Sequence, residues 1–115
     1  MAAYVISDVG PVAPQDEEAW KGYVGRAPAT IEKYGGRYLA RGGSIQVMEG
    51  SWSPHAVVLV EFPDVAAVAR WYASPEYAEA HKLRGTALSR NLICVEGASD
   101  NSAARPKVHR VAGIA

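Results

Sequence analysis

The sequence predicts a single α+β domain whose strands and helices follow in the order β-α-β-β-α-β. Three observations support this prediction: a strand-like apolar run near the start, a long stretch of aromatic and apolar residues at helical spacing, and a Ser-Pro-Glu-Tyr signal at Ser74 that restarts a helix. A chain of 115 residues buries roughly two thirds of its unfolded surface, so one hydrophobic core is expected.

The first third of the chain predicts a strand and then a helix. Tyr4 to Val9 contains β-branched and aromatic residues and is bounded by Gly10-Pro11, which is typical of a strand. Asp16 begins a helix that Gly35-Gly36 ends. Pro28 removes a backbone donor within this helix and predicts a kink or a break. The apolar face of the helix contains Trp20, Tyr23, Val24, Ala27, Ile31 and Tyr34.

The central third predicts strands separated by glycine-rich loops. Arg37 to Arg41 and Ile45 to Glu49 are strand-like. Gly42-Gly43-Ser44 between them forms either a tight hairpin or a bulge within one bent strand, and we favour the bulge. Ala56 to Phe62 contains a continuous apolar run, which is typical of a strand covered on both faces.

The last third predicts a helix in two pieces and a final strand. Asp64 can cap a short helix from Val65 to Tyr72. Ser74 caps the next helix, with proline at its first position, and this helix is expected to run to about Leu88. Asn91 to Glu96 then predicts the last strand, whose centre is apolar on both faces.

This order of elements is the ferredoxin-like arrangement, with a four-stranded antiparallel sheet. Its helices can cover only one face of the sheet, yet the central strands are apolar on both faces. A second copy of the chain is the simplest cover for the remaining face, so the sequence predicts a homodimer formed through the sheet faces.

Composition excludes several classes of protein. The 12 basic and 12 acidic residues give a net charge of +0, so nothing favours a nucleic acid or a membrane as partner. The single cysteine, Cys94, allows no intramolecular disulfide, and its apolar strand predicts an inert buried thiol. No run approaches the ~18 apolar residues of a membrane span. We therefore expect a cytoplasmic protein.

Several segments of the chain resemble domain-of-unknown-function family 1330, from about Ala3 to Gly97. The resemblance implies the dimeric α/β-barrel superfamily, in which two ferredoxin-like sheets form a barrel and each subunit keeps a cleft between its sheet and its helices. Relatives in that superfamily include cofactor-independent monooxygenases, lactone isomerases, polyketide cyclases and haem enzymes. We thus expect residues 1–97 to form the domain and residues 98–115 a flexible tail. The segments are Arg26–Thr30, Gly35–Gly43, Glu49-Gly50, Glu61–Pro63, Trp71–Tyr77 with Arg84, and Val95–Gly97.

The best polar cluster that the sequence predicts lies on the helix after Ser74. Tyr77, His81 and Arg84 fall on one stripe at helical spacing. A histidine can move a proton near neutral pH, an arginine can hold a carboxylate or enolate, and a tyrosine can donate to a carbonyl oxygen. The alternative places Glu76, Ala80, Leu83 and Ala87 on the buried stripe and leaves His81 at the solvent edge.

Two acidic residues and one further arginine are candidates with a structural alternative. Arg41 and Glu61 each end a strand, where either can orient a substrate or act on it. An ion pair of Glu61 with Arg41 or with Arg84 is the slightly favoured alternative. Asp8 ends the first strand, and turn bonding beside Gly10-Pro11 is favoured over catalysis for it.

Aromatic residues could wall a pocket for a flat apolar ligand. Core packing explains Trp20 and Trp71 better, whereas Trp52 lies in a loop and is more suggestive of binding. The glycine pairs lack the spacing of a phosphate-binding loop, and the three histidines show no short metal-ligand spacing. The predicted substrate-binding set is Arg41, Trp52, Tyr23, Tyr72 and Trp71.

The function predicted from these patterns is a small cofactor-independent enzyme that acts on an apolar, carbonyl-bearing metabolite by proton transfer. The reaction would be a cyclisation, an isomerisation or a mono-oxygenation. Arg84 and Tyr77 would stabilise oxyanion character, while His81, or otherwise Glu61 or Asp8, would move the proton. The alternative is a non-enzymatic homodimer that binds a small ligand or serves in assembly.

Overall fold

The computed structural model describes residues 1–84 and 89–98. It confirms the predicted α+β order, with strands β1 to β4 and helices α1 to α3, the last two being the pieces of the second helix. A short 3-10 turn at Pro14–Asp16 leads into α1. The bounds are β1 Ala3–Val9, α1 Glu17–Lys33, β2 Arg37–Arg41, β3 Ala56–Phe62, α2 Val65–Tyr72, α3 Pro75–Arg84 and β4 Arg90–Glu96.

The four strands form one antiparallel sheet in the order β2-β3-β1-β4, as the ferredoxin-like arrangement requires. In the register of the sheet, Val5 of β1 lies opposite Val60 of β3 and Cys94 of β4. Side chains alternate between the two faces of a strand, so this register defines an inner face, which the helices cover, and an outer face. Ala3, Val5, Ser7 and Val9 of β1 lie on the inner face and are buried.

The core lies between the inner face and the helices. Phe62 and Tyr77 are its largest fully buried side chains. Gly36 shows how closely α1 meets the sheet, since a Cβ there would lie 2.6 Å from Ile31 Cγ2 and 2.8 Å from Phe62 Cζ. Gly35 before it has φ 89°, the left-handed conformation that ends a helix and favours glycine. The glycine pair therefore ends α1 and lets β2 begin against the core.

Helix α1 continues through Pro28, so the predicted break is wrong. Proline removes one backbone donor, but Ala27 and Ile31 on either side of it are buried in the core. Thr30 Oγ1 also donates to the Ala27 carbonyl at 2.7 Å. Packing of the apolar face outweighs the one missing hydrogen bond.

The second half of the predicted bent strand is absent, and both the bulge and the hairpin at Gly42-Gly43-Ser44 are wrong. Strand β2 ends at Arg41, and residues 42–55 form an exposed loop that includes the predicted strand Ile45 to Glu49. Gly42 has φ 72°, which turns the chain out of the sheet. The irregularity of β2 lies earlier, between Tyr38 and Ala40.

The two predicted helix caps are confirmed. Asp64 Oδ1 accepts a hydrogen bond from the Ala67 amide at 2.7 Å. Ser74 Oγ accepts from the Tyr77 amide at 3.0 Å and donates to the Trp71 carbonyl at 2.7 Å. Ser74 thus ends α2 and begins α3 with one hydroxyl. The predicted extension to Leu88 and most of the predicted tail lie outside the described residues.

None of the helices that the structure describes covers the outer face of the sheet. Ile93 of β4 is 55% exposed and Val95 is 44% exposed, which agrees with the predicted second apolar face. Cys94 lies on the inner face, opposite Val5, but it is exposed too, so the prediction of a buried thiol is wrong. The reason is that β4 is an edge strand that α2 and α3 leave largely uncovered. Among the described helices none is long and apolar enough to cross a membrane.

Candidate functional site

A cavity of about 240 Å³ lies between helix α1 and the inner face of the sheet. Its walls are mostly apolar, and side chains from all four strands contribute to it. The polar side chains of its lining are Ser7, Tyr23, Tyr38, Arg41 and Arg90, together with the indoles of Trp20 and Trp71. The cavity therefore suits a small apolar compound that meets polar groups at only a few points.

Tyr23, Tyr77 and Arg90 form a hydrogen-bonded group at the wall of this cavity, which we call the Arg90 cluster. Arg90 donates from Nη1 to the Tyr23 hydroxyl at 3.0 Å and from Nη2 to the Tyr77 hydroxyl at 2.7 Å. The two hydroxyl oxygens are 3.0 Å apart. Helices α1 and α3 and strand β4 each supply one member, so the packing of three elements fixes the cluster.

The protons of the Arg90 cluster leave one donor available. Arginine only donates, so both phenol oxygens accept from it. The bond between the two hydroxyls uses one phenolic proton, and the bonds shown among these three residues do not use the other. Tyr23 lines the cavity, whereas Tyr77 is buried in the core and is not part of the described lining. When Tyr77 donates to Tyr23, the Tyr23 proton remains for an oxygen atom in the cavity.

Burial and neighbouring groups hold Tyr77 and Arg90 each in one charge state. Burial, followed by the neighbouring Tyr23, raises the pKa of Tyr77 to about 12. Burial lowers the pKa of Arg90, but the Tyr23 and Tyr77 phenols raise it by more, so the net pKa shift is upward. Tyr77 is thus a neutral donor and Arg90 a cation at physiological pH. Such a pair stabilises negative charge on oxygen and is unsuited to act as a base.

Ser7 is the second polar feature of the cavity. Its side chain is 4% exposed, and its Oγ is buried without a hydrogen-bond partner in the structure. It lies at the centre of β1, the central part of the cavity wall. An unpartnered buried hydroxyl is uncommon in proteins, because leaving it unpaired costs free energy.

Arg41 and Tyr38 form a third polar element, at the end of β2. The Arg41 guanidinium carbon lies 4.5 Å from the centre of the Tyr38 ring, which is within the range of a cation–π contact. Burial is the main cause that raises the pKa of Tyr38, so its phenol is also neutral. The described lining includes two arginines and no carboxylate. The cavity therefore favours ligands that carry or develop negative charge.

Four of the predicted site residues meet at or beside the cavity. Arg41, Tyr23 and Trp71 line it, and Tyr77 belongs to the Arg90 cluster. His81 is half-buried, and its ring centre lies 5.9 Å from that of Tyr77 in an edge-on arrangement. Helix α3 ends at Arg84, the remaining member of the predicted stripe.

Glu61 and Asp8 lie on the outer face, away from the cavity. Glu61 accepts from Arg37 Nε at 2.7 Å and from the Tyr4 hydroxyl at 3.4 Å. The predicted ion pair of Glu61 with Arg41 is therefore wrong. Arg37 lies opposite Glu61, whereas the register shift between Tyr38 and Ala40 puts Arg41 opposite Val58, on the other face of the sheet.

Two predicted aromatic binding residues also lie outside the described cavity lining. Trp52 is 61% exposed on the loop, and its indole N–H donates to Asp8 at 3.1 Å. Tyr72 is exposed at the end of α2, where its ring packs against Trp71.

Three residues of the cavity lining with polar or charged side chains were absent from the predicted site: Ser7, Tyr38 and Arg90. Alternation in β1 could have identified Ser7, because it is the one polar residue among Ala3, Val5 and Val9. Arg90 shares the inner face with Leu92, but it lies just before the predicted start of the last strand. Within the described part of the chain, no group of three or more His, Cys, Asp or Glu residues is placed to hold a metal ion.

A family model for a domain of unknown function, DUF1330, matches residues 2–98. The chain belongs to the DUF1330 family. This match confirms the family resemblance found in the sequence. The matched residues include the cavity wall and the Arg90 cluster. Curated proteins gave no match.

Solved structures with the same fold include proteins of unknown function and one enzyme. A protein of unknown function from Rhodopseudomonas palustris has a TM-score of 0.67 and 24% identity, covering 85% of this chain and 83% of that one. A dimeric ferredoxin-like protein of unknown function from Jannaschia sp. CCS1 has a TM-score of 0.61 and 11% identity, covering 84% and 100%. SnoaB, a cofactor-independent oxygenase from Streptomyces nogalater, has a TM-score of 0.52 and 14% identity, covering 85% and 93%. At these identities the likeness shows the fold alone.

Proposed function

We propose that this DUF1330 protein is a small cofactor-independent enzyme that binds an apolar carbonyl compound in the inner cavity and stabilises its enolate. The observation that carries the proposal is the Arg90 cluster, in which a half-buried cation holds two phenols and one of them, Tyr23, lines an apolar cavity. Hydrogen-bond donors fixed in advance where negative charge develops are the main means by which enzymes stabilise oxyanions.

The chemistry begins with the substrate carbonyl oxygen accepting the Tyr23 proton as a hydrogen bond. Loss of a proton from the carbon next to the carbonyl moves negative charge to that oxygen, and Arg90 stabilises the charge through Tyr23. A base from the solvent that enters the cavity takes this proton, because the described lining holds no carboxylate or imidazole. His81, the predicted base, packs against Tyr77 outside that lining. The enolate carbon then bonds to an electrophilic carbon of the same molecule, or takes a proton at another carbon. Alternatively it adds to molecular oxygen, and the hydroperoxide formed on protonation loses water, so that one oxygen atom stays on the substrate carbon and the other leaves as water.

The small volume of the cavity limits the substrate. A cavity of about 240 Å³ is smaller than the ~300–1,000 Å³ of typical drug-sized sites. One or two fused rings without long substituents fit this space. The fold is compatible with such chemistry, since SnoaB with the same fold is described as a cofactor-independent oxygenase.

A second candidate function is ligand binding without catalysis. It is favoured by one observation: the described cavity lining contains no carboxylate and no imidazole that could remove a proton directly. In this case the Arg90 cluster and Arg41 would hold an anionic ligand without changing it.

We further propose that the protein is a homodimer that pairs through the outer faces of its sheets. The exposed Ile93 and Val95 on that face support this assembly, because monomers rarely leave a large apolar patch in water. The fold is shared with a protein described as dimeric. Sedimentation equilibrium should give twice the chain mass, and Ile93→Lys should shift the protein to a monomer.

Exchange of α-protons for deuterium in 2-tetralone tests the enzymatic proposal. This small bicyclic ketone matches the cavity, and proton NMR follows the exchange in deuterated buffer. We expect the wild type to accelerate exchange and Tyr23→Phe to lower the rate by about 10²–10³-fold, the usual cost of losing an oxyanion donor. The matched control is Tyr34→Phe, since Tyr34 bonds to Glu76 instead of the cluster.

The outcomes of this experiment separate the two functions. Exchange at the buffer rate, with 2-tetralone bound, contradicts the enzymatic proposal and favours the binding module. His81→Ala and Arg84→Ala test the remaining predicted roles. Wild-type rates in either variant remove that residue from the mechanism and leave the Arg90 cluster as the active group.

A further inference from the structure

We propose that Ser7 is a second ligand contact, so that the cavity accepts a mainly apolar ring compound with two oxygen substituents. One oxygen is held at the Arg90 cluster and the other by the Ser7 hydroxyl. This inference rests on the proposed function, in which the inner cavity is the ligand site. It adds the class of ligand and the residue that selects it.

The first argument is that the described part of the protein offers the Ser7 hydroxyl no hydrogen-bond partner. Ser7 lies opposite Val58 of β3 on one side and Leu92 of β4 on the other. Both neighbours are apolar, and main-chain groups within a sheet are committed to pairing between strands. The Ser7 Oγ accordingly has no hydrogen-bond partner although it is buried.

The second argument is that packing alone does not call for a serine at this position. The other inner-face residues of β1 are Ala3, Val5 and Val9, all apolar and buried. An alanine would fill nearly the same space without burying an unpaired hydroxyl. A ligand oxygen in the cavity gives the Ser7 hydroxyl the hydrogen-bond partner that the described residues do not supply.

The third argument is the position of Ser7 relative to the Arg90 cluster. Val9 lies opposite Arg90, and Ser7 lies opposite Leu92, two residues further along β4. Ser7 and Arg90 are therefore diagonal neighbours on adjacent strands, and their Cα atoms are about 7–8 Å apart. Both line the same cavity. The Ser7 hydroxyl and the Tyr23 hydroxyl that Arg90 holds are thus two separate polar contacts in one cavity, which suits a ligand with oxygen atoms at different positions of a small ring system.

Binding of 2-naphthol and of the 1,5-, 2,6- and 2,7-naphthalenediols, measured by isothermal titration calorimetry, tests the inference. These probes share one apolar body and differ in the second oxygen. We expect the best diol to bind the wild type about 2- to 12-fold more tightly than 2-naphthol, the value of one hydrogen bond. Ser7→Ala should remove this preference and leave the affinity for 2-naphthol unchanged.

Control variants separate a ligand contact from a structural role. Ser53→Ala changes an exposed loop serine and should keep the preference. Ser7→Thr keeps a hydroxyl and should restore part of it. Thermal unfolding of each variant checks that the fold is intact.

The results distinguish the proposed role of Ser7 from the proposed function of the cavity. A diol preference that survives in Ser7→Ala, or an equal loss of affinity for all four probes, overturns the role of Ser7 and leaves the proposed function standing. If no probe binds the wild type, the proposed ligand class is wrong, and the exchange experiment with 2-tetralone decides separately whether the proposed function stands. Binding that Tyr23→Phe weakens, with the preference lost only in Ser7→Ala, supports both.

Discussion

Replacing Ser7 by alanine should stabilise the protein, whereas the same change at Ser74 should destabilise it. The two serines are equally buried, at 4% exposure each, so their burial cannot explain a difference. Ser74 Oγ makes two hydrogen bonds, one to the Tyr77 amide and one to the Trp71 carbonyl. Ser7 Oγ makes none.

The expected magnitudes follow from this contrast. Leaving a buried hydroxyl unpaired costs about 1–3 kcal/mol, and removing its oxygen also loses some packing contacts. We expect Ser7→Ala to raise the free energy of unfolding by about 1 kcal/mol, or the melting temperature by about 4 °C. Ser74→Ala should lower the free energy of unfolding by about 1–2 kcal/mol, since it removes a helix cap and a further hydrogen bond.

Urea unfolding of the wild type and both variants measures the difference, with the midpoint as readout and the slope as a check on the unfolded state. The expected order of midpoints is Ser7→Ala, wild type, Ser74→Ala. A loss of stability in Ser7→Ala similar to that of Ser74→Ala would show that the Ser7 hydroxyl has a partner in the free protein. That result would refute the reasoning that a ligand supplies it.

Three further predictions concern the packing of α1, the contact between α1 and α3, and the cluster. Gly36→Ala should lower the free energy of unfolding by about 1–3 kcal/mol, because the new Cβ would overlap core atoms. The control Gly43→Ala, where a Cβ would meet open space, should change it by less than about 0.5 kcal/mol. Equal effects of the two variants on urea unfolding would contradict this account of packing. Hydrogen bonds from Lys33 and Tyr34 lower the pKa of Glu76 from 4.5 to about 2, so stability present above pH 4.5 should fall as the pH drops toward 2. Glu76→Gln should flatten that part of the curve of stability against pH, and an unchanged slope would argue against the pair. The Tyr77 phenol should titrate near pH 12 in ultraviolet difference spectra, and a transition near pH 10 that Tyr77→Phe removes would contradict its burial.

The sequence predicted the fold well because short-range signals determine most of it. The caps at Asp64 and Ser74 bond to backbone amides three residues away. The glycine pair after α1 is needed because a Cβ at Gly36 would overlap Ile31, five residues before it, and also Phe62. The loop at residues 42–55 was wrongly predicted because β-branched residues indicate a strand only where a neighbouring strand pairs with them. Of the kink or break predicted at Pro28, the break is wrong, because the core packing of α1 could not be judged from periodicity alone.

The candidate site was predicted only in part because it depends on contacts between distant segments. Tyr23 and Tyr77 were both candidates, but their meeting at Arg90 joins residues that are 67 and 13 positions away from it. Glu61 and Asp8 were candidates as strand ends, and only the register of the sheet puts them on the outer face. A polar residue on the alternating apolar face of a strand, such as Ser7, is the sequence signal that was available.

A crystal structure of the wild type with bound 2-tetralone tests the central claim most directly, because it locates the ligand in the fold. The account predicts the ring system inside the inner cavity, with its oxygen about 3 Å from the Tyr23 hydroxyl and Arg90 still bonded to both phenols. A ligand seated on the outer face, or one in the cavity with its oxygen directed away from Tyr23, would contradict it.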